Sequence, residues 1–225
     1  MKNKLFIHVG FPRTGTSFLQ EQIFRKIPNV NFQRRNIIEQ EIKPDSINIF
    51  GDESITGVLP EHRKTIIERI HKVFPDAKII IGVRDYESWY RSLYNLYLSK
   101  GYTGTLNDVI EEDLYRDSDG YIDFVEKLYG KENVFVYDQK TMATNFGGWL
   151  KKLSYFLDID LSFVVNKRVN QSWLPLSLTL AKRLNRYFRS GLNPEGFFPI
   201  WMRTMFFRSI NIFIKYKKSF LSFDT

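Results

Sequence analysis

The stretch HVGFPRTGTSFLQ, His8 to Gln20, follows directly on the apolar run LFI and reads as a strand end, a glycine turn and a helix start. Gly10 and Gly15 stand five apart, the spacing of the phosphate-cradling loop GxxxxGK followed by Ser or Thr, but Thr16 occupies the lysine position. That lysine reaches the β and γ phosphates of a bound triphosphate, so its loss removes the main cation for γ-phosphoryl transfer. Arg13 supplies a cation inside the loop instead, behind the stiff Pro12. Thr14, Gly15, Thr16 and Ser17 present successive backbone N–H groups at a helix start, with hydroxyls as further donors. The pattern suits a smaller anion held with less charge. On the glycine spacing alone, an ordinary strand-to-helix turn remains the alternative.

Outward from the loop, apolar runs alternate with helical patterns. KLFIHV, SINIF, AKIIIGVR and NVFVYD read as strands, the third so continuously apolar and β-branched that both of its faces should be buried. TSFLQEQIFRKI reads as a helix. PEHRKTIIERIHKVF is a second, proline-led, with Ile66, Ile67, Ile70, Val73 and Phe74 on one face. DYESWYRSLYNLYLSKG is a third, with Asp85 as N-cap, and NFGGWLKKLSYFL a fourth. This rhythm predicts a parallel sheet covered by helices, with its site at the carboxyl ends of the strands.

Bulk properties narrow the class. The 225 residues include 43% hydrophobic residues, enough for a real core, and no cysteine, which excludes disulfides and thiolate metal sites. The opening MKNKLFIHVGF has too short an apolar run for a secretion signal, so a cytoplasmic protein is expected, with the inner membrane face as a peripheral location. Of the net charge of +8, a surplus of +7 falls between Pro175 and Thr225, where nine Lys/Arg face Glu195 and Asp224. Eleven aromatics share this segment, which reads as two helices joined by the turn GLNPEG. Such a tail suits an anionic membrane surface, an acidic partner or one wall of an acceptor cleft; packing of its aromatics on the core, with its cations solvated, is the plainer reading. No nucleic-acid motif accompanies the basic-aromatic mixture, and Arg203 and Arg208 interrupt its longest apolar run.

The ten residues FPRTGTSFLQ resemble the 5′-phosphosulfate loop of the sulfotransferase superfamily: proline, Lys or Arg, Ser or Thr, glycine, threonine, Ser or Thr, then an apolar residue and leucine. The resemblance implies 3′-phosphoadenosine 5′-phosphosulfate (PAPS) as sulfuryl donor without a metal, and an α/β fold of three layers related to P-loop NTPases. The expected layout is one domain over 1–225, its α/β part at about 4–173 and a helical basic tail at about 175–225. Arg13, with Thr14, Gly15, Thr16 and Ser17, would hold the phosphosulfate. Arg13 stands where many members carry lysine, so charge is kept while geometry differs. The superfamily also uses an arginine at a strand end and a serine eight residues later for the 3′-phosphate; Arg84 and Ser92 fit that spacing.

A general base beside the acceptor completes the chemistry. Asp52 and Glu53 lie just past a predicted strand end, and bacterial members similar to this chain carry an acidic residue in such a turn, which implies Glu53 as base with Asp52 second. His8 reads as a core histidine, although it could face the site; His62 and His71 read as surface residues. Lys167 and Arg168, with Asn170 and Ser172, occupy the place of a basic loop closing over the nucleotide, though without the superfamily's usual motif there. The expected activity is sulfation of a carbohydrate or glycolipid hydroxyl. The rivals are a small P-loop kinase using Mg-ATP, with Asp52 as metal ligand, and a non-catalytic nucleotide-binding scaffold.

Overall fold

The computed structural model describes residues 4–56, 60–113, 117–166 and 175–209. Five parallel strands form one sheet: β1 (Leu5–His8), β2 (Val30–Arg34), β3 (Ile47–Gly51), β4 (Lys78–Val83) and β5 (Val134–Asp138), in the order β2-β3-β1-β4-β5. The chain fills one side of β1 and then the other, so the exit of β1 is the switch point where open α/β sheets bind ligands.

Side chains alternate across the sheet as the period of two requires. Phe6, Ile49 and Ile80 pack with Leu19, Ile23 and Phe24 and with Trp149, Leu153 and Leu157 of α7 (Phe146–Leu157). Ile7, Phe50, Ile79 and Ile81 are also fully buried. Phe74 packs its ring, tilted by 59°, against Phe50 at 5.7 Å just beyond α2 (Pro60–Val73). Further along, α5 (Ser118–Tyr129) packs against α2 and against β4 and β5, which makes the fold the expected parallel sheet flanked by helices. Each such buried side chain contributes about 1.5–3 kcal/mol.

α2 departs from the sequence expectation in an informative way. Its buried face is Arg63, Ile67 and Ile70, continued by Phe74, whereas Val73 is 47% exposed. These positions recur every three to four residues, so an arginine takes a core position. His71 is half-buried, its ring edge-on to Tyr129 at 4.6 Å.

By contact the chain divides into two compact units. The first comprises Met1–Trp89 and Asp113–Asn170, the second Tyr90–Glu112 and Gln171–Thr225, and the boundary falls inside α3 (Tyr86–Lys100). The second unit also holds α4 (Leu106–Glu111), opened by a Thr105–Asp108 capping box, together with α8 (Pro175–Leu184) and a last described helix over 200–209. Between β5 and α7 the first unit adds α6 (Gln139–Thr144).

Candidate active site

The loop after β1 is fixed on three sides before any ligand arrives. Val9 and Phe11 donate backbone bonds to the Ile80 and Gly82 carbonyls, carrying the β4 pairing past the strand end. A Cβ at Gly10 would stand 2.8 Å from the Gly82 nitrogen, so only glycine allows this approach. Trp89 Nε1 donates to the Pro12 carbonyl at 2.6 Å, and the Thr14 hydroxyl closes the turn onto the Phe11 carbonyl at 2.5 Å. Below, the buried Arg63 lies over the Phe11 ring at 5.0 Å.

Arg13 and Gly15 both take left-handed backbone, at φ 68° and 95°. For arginine this conformation costs about 1–3 kcal/mol and persists only where its surroundings hold it. The loop then enters a helix at α1 (Thr16–Phe18), which continues as a π-helical turn, Leu19–Ile23, and a 3₁₀ turn, Phe24–Lys26. A regular helix is the sequence expectation; the wide turn instead buries Leu19, Gln20, Ile23 and Phe24 together. Thr16 and Ser17 open this segment, where backbone N–H groups and the positive dipole end face outward.

The turn after β3 is docked onto the same loop. Asp52 N donates to the His8 carbonyl at 3.0 Å, and the buried Thr56 hydroxyl donates to the Gly10 carbonyl at 3.0 Å. Between these anchors Glu53 accepts a bond from the Thr16 hydroxyl on Oε2 at 2.8 Å. Its other oxygen lies 3.9 Å from Arg34 Nη2, and the side chain stays 33% exposed. Asp52 is committed elsewhere: its Oδ1 accepts from the Ser54 amide at 3.0 Å and the Ser54 hydroxyl at 2.5 Å.

Arg84 follows β4 directly and donates from Nη1 to the Arg13 carbonyl at 3.2 Å. The Arg13 guanidinium is held below the usual arginine range, by burial first and the neighbouring Arg84 charge second, while Glu53 acts the other way. Two cations and one carboxylate therefore converge at a helix start, a surplus of positive charge that an anionic ligand would balance. Ser92 is half-buried on α3 in the second unit. Lys167 and Arg168, like Asn170 and Ser172, lie outside the described residues.

His8 is a core residue. Its ring is edge-on to Phe24 at 5.5 Å, Nε2 lies 3.4 Å from the Tyr137 hydroxyl, and burial lowers its pKa to about 3. The unfolded chain therefore binds one more proton than the folded one between the ordinary value of 6.5 and about 3. Stability falls as pH drops through that window, at up to about 1.4 kcal/mol per pH unit from this group. A His8→Gln variant is expected to flatten the acid limb of a denaturant-midpoint profile; an unchanged slope would show that the ring is protonated in the fold.

Two residues escape the sequence reading. Tyr137, at the end of β5, is buried with its hydroxyl bonded to the Thr14 side chain, and burial raises its pKa well above the ordinary range. Arg34, at the end of β2, reaches both Glu21 and Glu53 at 3.9 Å. Only the doubled arginine in FQRRN could have pointed to the second.

Residues 58–187, more than half of the chain, match the family model described as a sulfotransferase domain. The chain belongs to the sulfotransferase family. Arg84 and Ser92 of this sulfotransferase fall inside the matched stretch, while the loop and Glu53 precede it. In structure, the chain is similar to a sulfotransferase from Alicyclobacillus acidocaldarius, with a TM-score of 0.56 and 16% identity over 83% of this chain and 94% of that one. A mouse sulfotransferase, SULT7A1 in complex with PAP, aligns with a TM-score of 0.47 and 18% identity over 83% of this chain and 65% of that one. No curated protein matches the sequence. Among the described residues no helix is long and apolar enough to cross a membrane.

Proposed function

We propose that this sulfotransferase moves the sulfuryl group of PAPS to a hydroxyl of a carbohydrate or glycolipid, with Glu53 as general base. The observation that carries the reading is the 2.8 Å bond from Thr16 to Glu53, which aims a partly exposed carboxylate at the head of the anion loop. The alternative bases fit less well. His8 is buried and held neutral, and Asp52 is occupied in capping its own turn.

The residues present fit an anionic donor, because Arg13 and Arg84 bring more positive charge than Glu53 offsets. Arg13 and the amides of Thr14 to Ser17 would hold the phosphosulfate, and Arg84 the 3′-phosphate. PAPS supplies the sulfuryl group and a leaving bisphosphate. Glu53 would take the acceptor's hydroxyl proton as the acceptor oxygen bonds to sulfur and the bond from sulfur to the phosphate oxygen breaks, and Arg13 would balance the negative charge left on that phosphate oxygen. A lysine-dependent kinase reaction fits poorly, since Thr16 at the lysine position offers a hydroxyl that is donated to Glu53. The carbohydrate or glycolipid class of acceptor rests on the sequence resemblance, and the exposed edge of Glu53 is compatible with it.

Calorimetry with adenosine 3′,5′-bisphosphate, against ATP with magnesium, tests the donor half. The wild type is expected to bind the bisphosphate without metal, and Arg84→Ala to weaken it by about ten- to a hundredfold, the worth of a charged hydrogen-bond pair. Preference for magnesium-ATP, with Arg84→Ala indifferent, would overturn the assignment.

A further inference from the structure

The helix at 200–209 has two faces of opposite character. Arg203 and Phe207, one turn apart, are buried. Arg203 donates to the Leu98 and Ser99 carbonyls, and the Phe207 ring stands edge-on to Phe188 at 6.2 Å. The opposite face carries Trp201, Thr204, Met205 and Arg208, spaced at three and four residues, and all are exposed. Trp201 is 60% and Met205 63% exposed, and Phe197, just before the helix, 80%. A water-facing helix side would ordinarily be polar throughout; this one sets a tryptophan and a methionine between Thr204 and Arg208.

The charges around it have one sign. Arg208 shares the exposed helix face, Arg189 donates from Nε to the Gly196 carbonyl beside Phe197, and Lys182, Arg183 and Arg186 are exposed in the same unit, where Glu195 is the one exposed acid among the described residues of 175–209. A tryptophan, a phenylalanine and a methionine with Arg189 and Arg208 beside them match the two layers of an anionic bilayer surface: the rings and thioether reach the acyl boundary while the cations meet the lipid headgroups. A protein partner would have to bring its own acidic rim, and a second copy of this chain would bring a basic one.

We propose that this face of the second unit docks on anionic lipid surfaces, holding the enzyme peripherally at a membrane. The proposal is independent of the donor and acceptor readings. Its test is co-sedimentation of the full chain with vesicles of phosphatidylcholine alone or doped with phosphatidylglycerol, alongside tryptophan emission. Binding is expected only to the anionic vesicles, with a blue shift that disappears in Trp201→Ser. Phe197→Ser with Trp201→Ser, and separately Arg186→Glu with Arg208→Glu, are each expected to lower the partition constant by at least about tenfold at unchanged melting temperature. Failure of the wild type to sediment with anionic vesicles, or partitioning of both double variants equal to that of the wild type, would overturn the proposal. So would heparin binding without vesicle binding, or a wild-type dimer that Trp201→Ser dissociates while vesicles leave it untouched.

Discussion

Glu53→Gln is expected to lower turnover by about a hundred- to ten-thousandfold while leaving affinity for adenosine 3′,5′-bisphosphate nearly unchanged, the range over which a positioned proton acceptor acts. The substitution isolates the chemistry because it keeps shape and contact. A glutamine oxygen still accepts from the Thr16 hydroxyl, and the turn stays anchored through Asp52 N to His8 and Thr56 to Gly10, neither of which involves the side chain. What disappears is the capacity to take the proton. Single-turnover sulfation with a panel of sugar and glycolipid acceptors reads the first quantity, and calorimetry the second. Equal loss of both would make Glu53 part of the nucleotide cradle, since the carboxylate also tempers the positive charge of Arg13. Turnover close to wild type would remove it from proton transfer and turn attention to the acceptor itself.

How far the sequence could be read follows from how local each signal is. β1, β3, β4 and β5 announce themselves because buried parallel strands need continuous apolar runs. β2 does not, because VNFQR spends only Val30 and Phe32 on the core. Its buried Asn31 is satisfied by the Asn48 side chain, which in turn bonds Lys43 and Ser46, a long-range polar cluster that reads as loop. The short α4 and α6 and the amphipathic α5 went unread between stronger patterns. In the site, the strand-turn-helix course of the loop was legible from its glycine spacing, whereas Arg84 was singled out by the resemblance, since an arginine after a strand taken alone reads as a surface residue. The bond between Thr16 and Glu53 joins residues 37 apart and has no local signature. Arg63 was hidden for a related reason: periodicity places a residue on the buried face but does not forecast that an arginine will be tolerated there, over an aromatic ring.

Arg203→Met is expected to destabilise the second unit by about 3 kcal/mol, because it removes donors from buried acceptors worth about 1–3 kcal/mol each when left unsatisfied. Helix α3 ends at Lys100, and its last carbonyls have no partner within the helix. Arg203 supplies the Ser99 carbonyl, to which Nη2 donates at 2.7 Å, and adds a bond at 3.1 Å to the Leu98 carbonyl, which the Gly101 amide also reaches, while Nε reaches Asn185 Oδ1 at 3.3 Å. Asn185 itself donates to the Leu98 and Tyr102 carbonyls, so one fork and one amide close the helix end together. A cation that reads as solvated in the sequence is in fact a structural cap, which explains how a segment so rich in charge packs at all. Methionine keeps most of the packing volume against Phe207 and loses only the donors, and lysine keeps a charge but cannot reproduce the planar fork. Both variants should therefore melt below wild type, methionine by roughly 6–12 °C for a chain of this size. A melting temperature within about 1 °C of wild type would mean that water satisfies the α3 carbonyls and that aromatic packing of Phe207 on Phe188 alone holds the 200–209 helix in place.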